Sequence, residues 1–449
     1  MRRTFRGGVH PNDHKELTCA RPVRALEPPA RVVLPLRQHV GAPAKPLVKA
    51  GDLVAEGQPV GEAGGFVSAP VHASIAGKVT AVGKHLHPAG YECEAVTIEA
   101  LPTAPEGQEW PPQPYRIPGP VPDYQSAEPE KLKALIQAAG IVGIGGAGFP
   151  THVKLSPPKD KPIDTLIINA AECEPFLTCD HRAMLEDSEA IAHGVRIAQR
   201  ILGVKRVFFG VESNKPDAAE VMRKAFAGDP EVTVTVLQVK YPQGGEKQLI
   251  KALTGREVPP PPGLPMDVGC VVQNVSTCAT IARAVMEGVP FYERVVTMTG
   301  SMVKNPGNYR VRLGTIVGDI VESIGGLHEP PTKVVMGGPM MGMAMAELAV
   351  PVVKATSGFI FLSKKEIGDL RPSPCIRCGR CTQACPLLLQ PGEMARRVEL
   401  GDLDAAQSLH VMECMECGTC SYICPSYRWL VQQIRLGKAK LNERKQKSA

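Results

Sequence analysis

The sequence predicts a multidomain α/β protein that ends in a cysteine-rich domain. Three observations carry that expectation. Glycine-punctuated runs of valine over residues 31–99 read as short strands. Strand-like and helix-like segments alternate between residues 130 and 290, the mark of α/β units on a largely parallel sheet. A C-x2-C-x2-C-x3-C-P run occurs twice after residue 370. At 449 residues the chain is long enough for several cores, and 43% hydrophobic residues exclude a disordered protein.

The elements follow in order. Residues 1–101 form the first unit, in which Val48 to Val60 turns at Gly51 and Gly57 and leads to Ser68-Ala69-Pro70 and Ala76-Gly77-Lys78-Val79. The pattern resembles the barrel-sandwich fold of lipoyl and biotinyl carriers. Carriers present a modified lysine on an exposed hairpin, and no lysine lies between Pro59 and Ala76. A scaffold or docking role is therefore expected of this domain. Residues 102–129 carry nine prolines, which excludes a helix and marks an extended linker. In the unit 130–290, Glu130–Ala139 presents Leu132, Leu135 and Ile136 on one helical face. Strands are expected at Thr165–Asn169, Arg206–Val211 and Val232–Val239, and helices at 188–202, 216–226, 246–254 and Val275–Glu287. Residues 291–355 return to short strands, with turns at Pro306-Gly307, Gly318-Asp319 and Gly325-Gly326. The cysteine domain spans 365–430, and a basic tail, 431–449, closes the chain.

Charge and hydropathy narrow the function. Lys and Arg total 51 against 45 Asp and Glu, and aromatics are 4%, too weak a bias and too few rings for nucleic acid. No run approaches a membrane span; 334–353 is interrupted by Gly337, Gly338, Pro339, Gly342, Glu347 and Pro351. The start MRRTFRGGVHPNDHKELT has positive charge but no apolar stretch of a signal peptide. A cytoplasmic location with reduced cysteines is expected, so the cysteines read as ligands.

The duplicated run gives those ligands. Three thiolates at this spacing wrap one face of a [4Fe–4S] cube, and the fourth reaches the other cluster. One cluster is assigned to Cys375, Cys378, Cys381 and Cys424, the other to Cys414, Cys417, Cys420 and Cys385. Gly379 and Gly418 sit where the backbone passes close to sulfide. A zinc pair requires neither the third Cys nor the Cys-Pro. The other cysteines, 19, 93, 173, 179, 270 and 278, share no spacing and read as small buried residues.

Two loops point to a second cofactor. Gly143-Ile144-Gly145-Gly146-Ala147-Gly148-Phe149-Pro150 lets backbone amides approach a ligand, with Lys154 near for a phosphate. It is neither a Walker A sequence nor a G-x-G-x-x-G opening a helix. The strand Thr165–Asn169 runs into Ala170-Ala171-Glu172-Cys173-Glu174-Pro175, at the strand end where α/β proteins hold ligands. Tyr241-Pro242-Gln243-Gly244-Gly245-Glu246 and Gln273-Asn274-Val275-Ser276-Thr277 add polar groups before helices. The four loops together are best explained by one pocket.

GIGGAGFPT, NAAECEP, the GGE turn and QNVST resemble the flavin- and NADH-binding subunit of respiratory complex I. From RTFRGGVHPNDHKELT to the double cysteine run, the chain resembles the RnfC family of Rnf ion-translocating ferredoxin:NAD oxidoreductases. That resemblance implies an N-terminal barrel-sandwich-like domain, a complex-I-flavoprotein-like α/β domain that binds FMN, an SLBB β-grasp unit, and a ferredoxin-like α-helical domain with two [4Fe–4S] clusters. It implies that Gly145, Gly146, Gly148 and Lys154 cradle the FMN phosphate. Asn169, Glu172, Tyr241, Gln273, Asn274 and Thr277 would line the flavin, and Phe149, Glu174 and Glu246 would face NADH, the two acids as catalytic residues. The complex I relative has Asp at the position of Ala171, Glu at Gly245 and Asn at Gln273, and its basic, aromatic NADH loop has no counterpart in Arg256–Pro265.

The expected activity is hydride exchange between NADH and FMN and single-electron transfer through the clusters. The implied partners are other Rnf-type subunits, including integral membrane ones and a ferredoxin-accepting iron–sulfur subunit, at the cytoplasmic face of the bacterial cell membrane. Two other readings stand beside this one: a soluble flavin-dependent cobalamin reductase, and a docking or relay subunit that does not turn over NADH. The methionines 336, 340, 341, 343 and 345 read as core or interface.

Overall fold

The computed structural model describes residues 4–101 and 110–448; the first part of the expected linker, 102–109, lies outside the described residues. The N-terminal unit is two small sheets facing each other. One runs Arg31–Pro35, Glu92–Glu99, Gly77–Leu86, Leu53–Val54; the other runs Lys45–Pro46, Pro59–Glu62, Val71–His72. Alternation decides its faces. Val32, Leu34, Val79, Val96 and Ile98 point into the sandwich, whereas Val33 and Ala95 pack outward on Ile316 of the SLBB-like unit.

The α/β unit holds four parallel strands in the order Val232–Leu237, Arg206–Glu212, Thr165–Ala170, Cys270–Asn274. The central strand TLIINA is apolar on both faces because helices cover both. Leu166, Ile168 and Ala170 meet the helices Ser188–Leu202 and Val275–Glu287, and Ile167 meets Glu246–Thr254. The first two of these helices approach so closely that a Cβ on Gly194 would lie 1.8 Å from the carbonyl oxygen of Cys278.

The third unit is a six-stranded mixed sheet, ordered Arg24–Ala25, Gly307–Arg312, Glu293–Thr299, Gly358–Leu362, Lys333–Met336, Met343–Met345. It shares one apolar core with the barrel sandwich, from Val32 and Val96 through Val296 and Phe359. One expectation is corrected here. Gly318-Asp319 is not a turn but the first turn of a helix, Val317–Ser323, whose Val317, Ile320 and Val321 are buried at helical spacing.

The last unit is helical. Short helices Arg380–Ala384 and Thr419–Tyr422 follow the two cysteine loops, and Pro391–Glu399 packs on Leu430–Ser448. The basic tail is helical, and its Lys440, Arg444, Lys445 and Lys447 are exposed. It lies within a 19-residue helix that buries Leu430, Val431, Ile434 and Leu441 against the cysteine domain. Among the described residues no helix is long and apolar enough to cross a membrane.

Candidate cofactor sites

The carboxyl ends of the parallel strands gather the polar residues that the sequence singled out. Asn169 and Asn274 are register neighbours on adjacent strands. The Asn274 side-chain carbonyl caps the helix that follows, accepting from the N–H of Ser276 at 2.8 Å and of Thr277 at 3.3 Å, while its amide donates to Asp180 at 2.7 Å. Asn169 donates to the carbonyl of Gly244 at 2.8 Å and so ties the GGE turn to the acidic loop. The glycine loop is anchored to the same helix, since the N–H of Ile144 donates to Thr277 Oγ1 at 2.9 Å. Gly145 and Gly148 take φ of +73° and +69°, which side chains rarely adopt, and Gly146 faces open space. Phe149 is half-buried beside them.

These residues fit a flavin. Gln273 is 1% exposed, yet neither amide atom has a hydrogen-bond partner among the described residues, and Gln243 Nε2 and Gln248 Oε1 are in the same position. Each such group costs roughly 1–3 kcal/mol unless a ligand meets it. A cleft of about 770 Å³ opens along Gly146 and Ala147, walled by Arg37, His39 and Tyr91 of the barrel and by Met341.

The charged residues are more committed than the sequence suggested. Lys154 donates to Glu246 at 3.2 Å and to the carbonyl of Val272 at 3.3 Å. Glu172 accepts from the N–H of Asp180 at 2.6 Å and of His181 at 3.3 Å, at the start of the helix Cys179–Glu186. Glu174 accepts from the N–H of Met340 at 3.0 Å and of Met341 at 2.9 Å, clamping a turn of the SLBB-like unit. Burial pushes both carboxyls up to about 7, against the pull of Lys15 on Glu172 and of the two amides on Glu174. A Cβ on Gly245 would meet the side-chain ends of Gln248 at 2.6 Å and of Met415 of the cysteine domain at 3.2 Å and the carbonyl oxygen of Pro242 at 3.1 Å, so a side chain there requires these neighbours to shift. Spacing gave no signal for Lys15, and the partners of Asp180 and of the Met340–Met341 turn likewise come only through tertiary contact.

Cys385, Cys414, Cys417 and Cys420 line one small enclosed space with Pro386, Met415 and Gly418. Backbone N–H groups point at their sulfurs, from Leu389 to Cys385 at 3.4 Å and from Glu416 to Cys414 at 3.3 Å. Burial, and then the neighbouring thiols, raise the Cys420 thiol, so four thiolates here call for iron charge to offset them. That chemistry fits a [4Fe–4S] cluster. Cys381 and Cys424 pack together against Leu430 and Val431, while Cys375 and Cys378 are exposed. Gly379 and Gly418 both have positive φ, +74° and +83°. The first set abuts the α/β unit directly: Tyr241, 1% exposed, donates its hydroxyl to the carbonyl of Cys417 at 2.8 Å.

Comparison with known proteins fits this arrangement. Residues 3–101 match the RnfC barrel sandwich hybrid domain and 136–283 the Nuo51 FMN-binding domain. Residues 295–344 match the SLBB domain and 369–425 the 4Fe-4S dicluster domain. The chain is 46% identical to the C subunit of the proton-translocating ferredoxin:NAD(+) oxidoreductase complex of Clostridium ljungdahlii, covering 88% of this chain and 84% of that one. It is 44% identical to the Na(+)-translocating counterpart of Acetobacterium woodii, over 99% of this chain and 98% of that one. The chain belongs to the RnfC family. The matching component of the ion-translocating oxidoreductase complex of Rhodobacter capsulatus is likewise 44% identical, over 98% and 84%. In fold, the chain is similar to a chain of an NAD+-reducing [NiFe]-hydrogenase in the H2-reduced state. The TM-score there is 0.50 at 21% identity, covering 71% of this chain and 65%, just under two thirds, of that one.

Proposed function

We propose that this RnfC-family chain is the NADH-linked electron-transfer subunit of an ion-translocating ferredoxin:NAD+ oxidoreductase, docked peripherally at the cytoplasmic face of the cell membrane. Integral membrane subunits and a ferredoxin-accepting iron–sulfur subunit are its partners. FMN, when bound, takes the two electrons of a hydride, and iron–sulfur clusters carry electrons singly. Gly145, Gly146 and Gly148, with Lys154, would hold the FMN phosphate. Asn169, Tyr241, Gln273, Asn274 and Thr277 would line the ring, with Glu172 fixed behind them. Phe149 and Glu246, the latter 41% exposed, are left to meet the nicotinamide, and Glu174 sets the Met340–Met341 turn beside the cleft.

The hydrogen bond from Tyr241 to Cys417 carries the reading, because it puts a wall of the flavin site and a ligand loop in direct contact. It also orders the cysteine sets. Cys385, Cys414, Cys417 and Cys420 form the inner set, and the exposed Cys375 and Cys378 belong to the outer one, where a redox partner gains access. The cobalamin-reductase reading is disfavoured by the RnfC barrel domain at 3–101.

The test is an anaerobic NADH titration of the full chain reconstituted with FMN, iron and sulfide, followed by flavin absorbance and cluster EPR. Wild type should show flavin bleaching and reduction of both clusters. Cys414→Ala should keep the bleaching and lose reduction of the outer cluster, whereas Cys378→Ala should keep reduction of the inner one. An outer cluster still reduced at wild-type rate in Cys414→Ala refutes the order. A bound flavin untouched by NADH makes the chain a relay.

A further inference from the structure

The N-terminal strap, residues 5–25, touches the α/β, SLBB-like and cysteine units around the proposed site. The N–H of Gly8 donates to the carbonyl of Ala384, next to Cys385, at 2.8 Å, and Val9 exchanges two backbone hydrogen bonds with Tyr241, at 2.9 and 2.8 Å. The carbonyl of Asp13 accepts from the N–H of Phe176 at 2.7 Å, and His14 stacks on the Phe176 ring at 4.7 Å. Thr18 and Thr178 share a hydroxyl contact of 2.7 Å, and Arg24–Ala25 joins the edge of the SLBB-like sheet.

Midway lies Lys15, 6% exposed. Its ammonium donates to three carbonyls of the acidic loop, those of Glu172 and Glu174 at 3.0 Å each and that of Leu177, with the Glu172 carboxylate 3.9 Å away. An ammonium has three donors, and here three acceptors converge on it. The loop needs such a hub. Glu172 and Phe176 both lie in the left-handed region, at φ +46° and +69°, a conformation that persists only where the surroundings over-determine it. Lys215 holds the upstream end, donating to the carbonyl of Ala171 at 2.7 Å, but reaches none of the other three.

We infer that Lys15 is a positioning residue for hydride exchange: from the strap, its ammonium fixes the acidic loop, and with it Glu172 and Glu174, against the flavin site. The inference rests on the function proposed above. Without the ammonium, three carbonyls lose their donor, the Glu172 carboxylate loses its near cation, and the two left-handed residues relax. The clamp of Glu174 on the Met340–Met341 turn then shifts.

The experiment compares Lys15→Met and Lys15→Arg with wild type as the full reconstituted chain. Lys15→Met should raise the NADH KM at least tenfold and move the flavin midpoint potential to more negative values, since a buried positive charge is gone. The cluster EPR should stay as in wild type. Lys15→Arg keeps the charge but points a planar fork where three converging donors are needed, so its potential should return toward wild type while KM stays high. In the protein without FMN, hydrogen exchange of residues 171–181 should quicken at least tenfold in Lys15→Met. Wild-type KM, potential and exchange in Lys15→Met overturn the inference. Should Lys15→Met not accumulate, His14→Ala, which removes only the ring stack, and Lys15→Arg decide it. Raised KM in both supports the pin, and wild-type KM in both overturns it. Potential is read by dithionite titration and exchange without NADH, so a wild type that ignores NADH sinks the function while these two arms still judge Lys15.

Discussion

Substituting Gly194 by Ala tests how the core positions the site. The new methyl carbon would stand 1.8 Å from the carbonyl oxygen of Cys278, 2.4 Å from its carbon and 2.9 Å from its Cα, all backbone of the facing helix. An ordinary carbon–oxygen contact is about 3.3 Å, so the helices Ser188–Leu202 and Val275–Glu287 must part by roughly 1.5 Å. Alanine returns about 1 kcal/mol of helix propensity. Overpacking a rigid contact costs about 1–3 kcal/mol or more, and a gap of ~1 Å forfeits up to half the dispersion energy along the seam. The loss wins, by about 2 kcal/mol, which is roughly 4–8 °C in the unfolding of a domain this size. The second helix begins at Asn274 and Thr277, which fix Asp180 and the glycine loop, so FMN affinity should fall as well. Calorimetry of the FMN-free protein and FMN titration by flavin fluorescence measure the two effects. A Gly194→Ala protein as stable as wild type, or more so, refutes the packing argument.

Two further outcomes follow from buried polar groups. Gln273→Leu should stabilise the FMN-free protein by about 1–3 kcal/mol, because an unpaired amide is removed, yet weaken FMN binding at least tenfold; loss or gain of both together contradicts the assignment. Glu174 titrates near 7 when folded against 4.5 as the reference, so the stability it contributes is full below about pH 4.5 and lost as pH rises to about 7. Denaturant unfolding of the FMN-free protein should show Glu174→Gln gaining up to about 3 kcal/mol on wild type across that window, and parallel pH profiles would sink the idea.

Much of this was legible in the sequence, and the reason is local chemistry. TLIIN and RVFFGV read as strands because apolar runs covered on both faces have no other stable place, whereas the strand Cys270–Asn274 is not read from the sequence because its polar end, Gln273-Asn274, looks like a loop before a helix. The cysteine spacing names its cofactor because three thiolates two residues apart fit one cube face. Local pattern failed where tertiary contact decides. Gly318-Asp319 looks like a turn, but Val317, Ile320 and Val321 bury as a helix against the shared core. The C-terminal segment reads only as a basic tail because the four apolar side chains that its helix buries are diluted by lysine and arginine. Lys15 could not be singled out at all, since its carbonyl partners lie more than 150 residues away.

The junction between the flavin side and the cysteine domain is small in apolar terms. Among the described residues its buried cluster holds Val9, Tyr241, Ala384 and Cys417, with Cys173, Met340, Met415 and Ile423 at its margin. Apolar contact of that size is non-directional and does not fix an orientation. Directed hydrogen bonds do: Tyr241 to Cys417, Gly8 to Ala384, Val9 with Tyr241, and the N–H groups of Met340 and Met341 to the Glu174 carboxylate; the Met340 carbonyl in turn leaves Gly418 no room for a Cβ. Most of these bonds end on backbone, so side-chain substitution on the acceptor side leaves them in place. Gly7, Gly8 and Gly418, where a Cβ would clash with backbone oxygens at 2.6, 2.7 and 2.6 Å, are positions at which the junction has no tolerance. A protein that splits electron pairs needs the distance between its two-electron site and its one-electron carriers held constant. Main-chain hydrogen bonds across closely packed glycines hold it more firmly than a larger but featureless apolar interface.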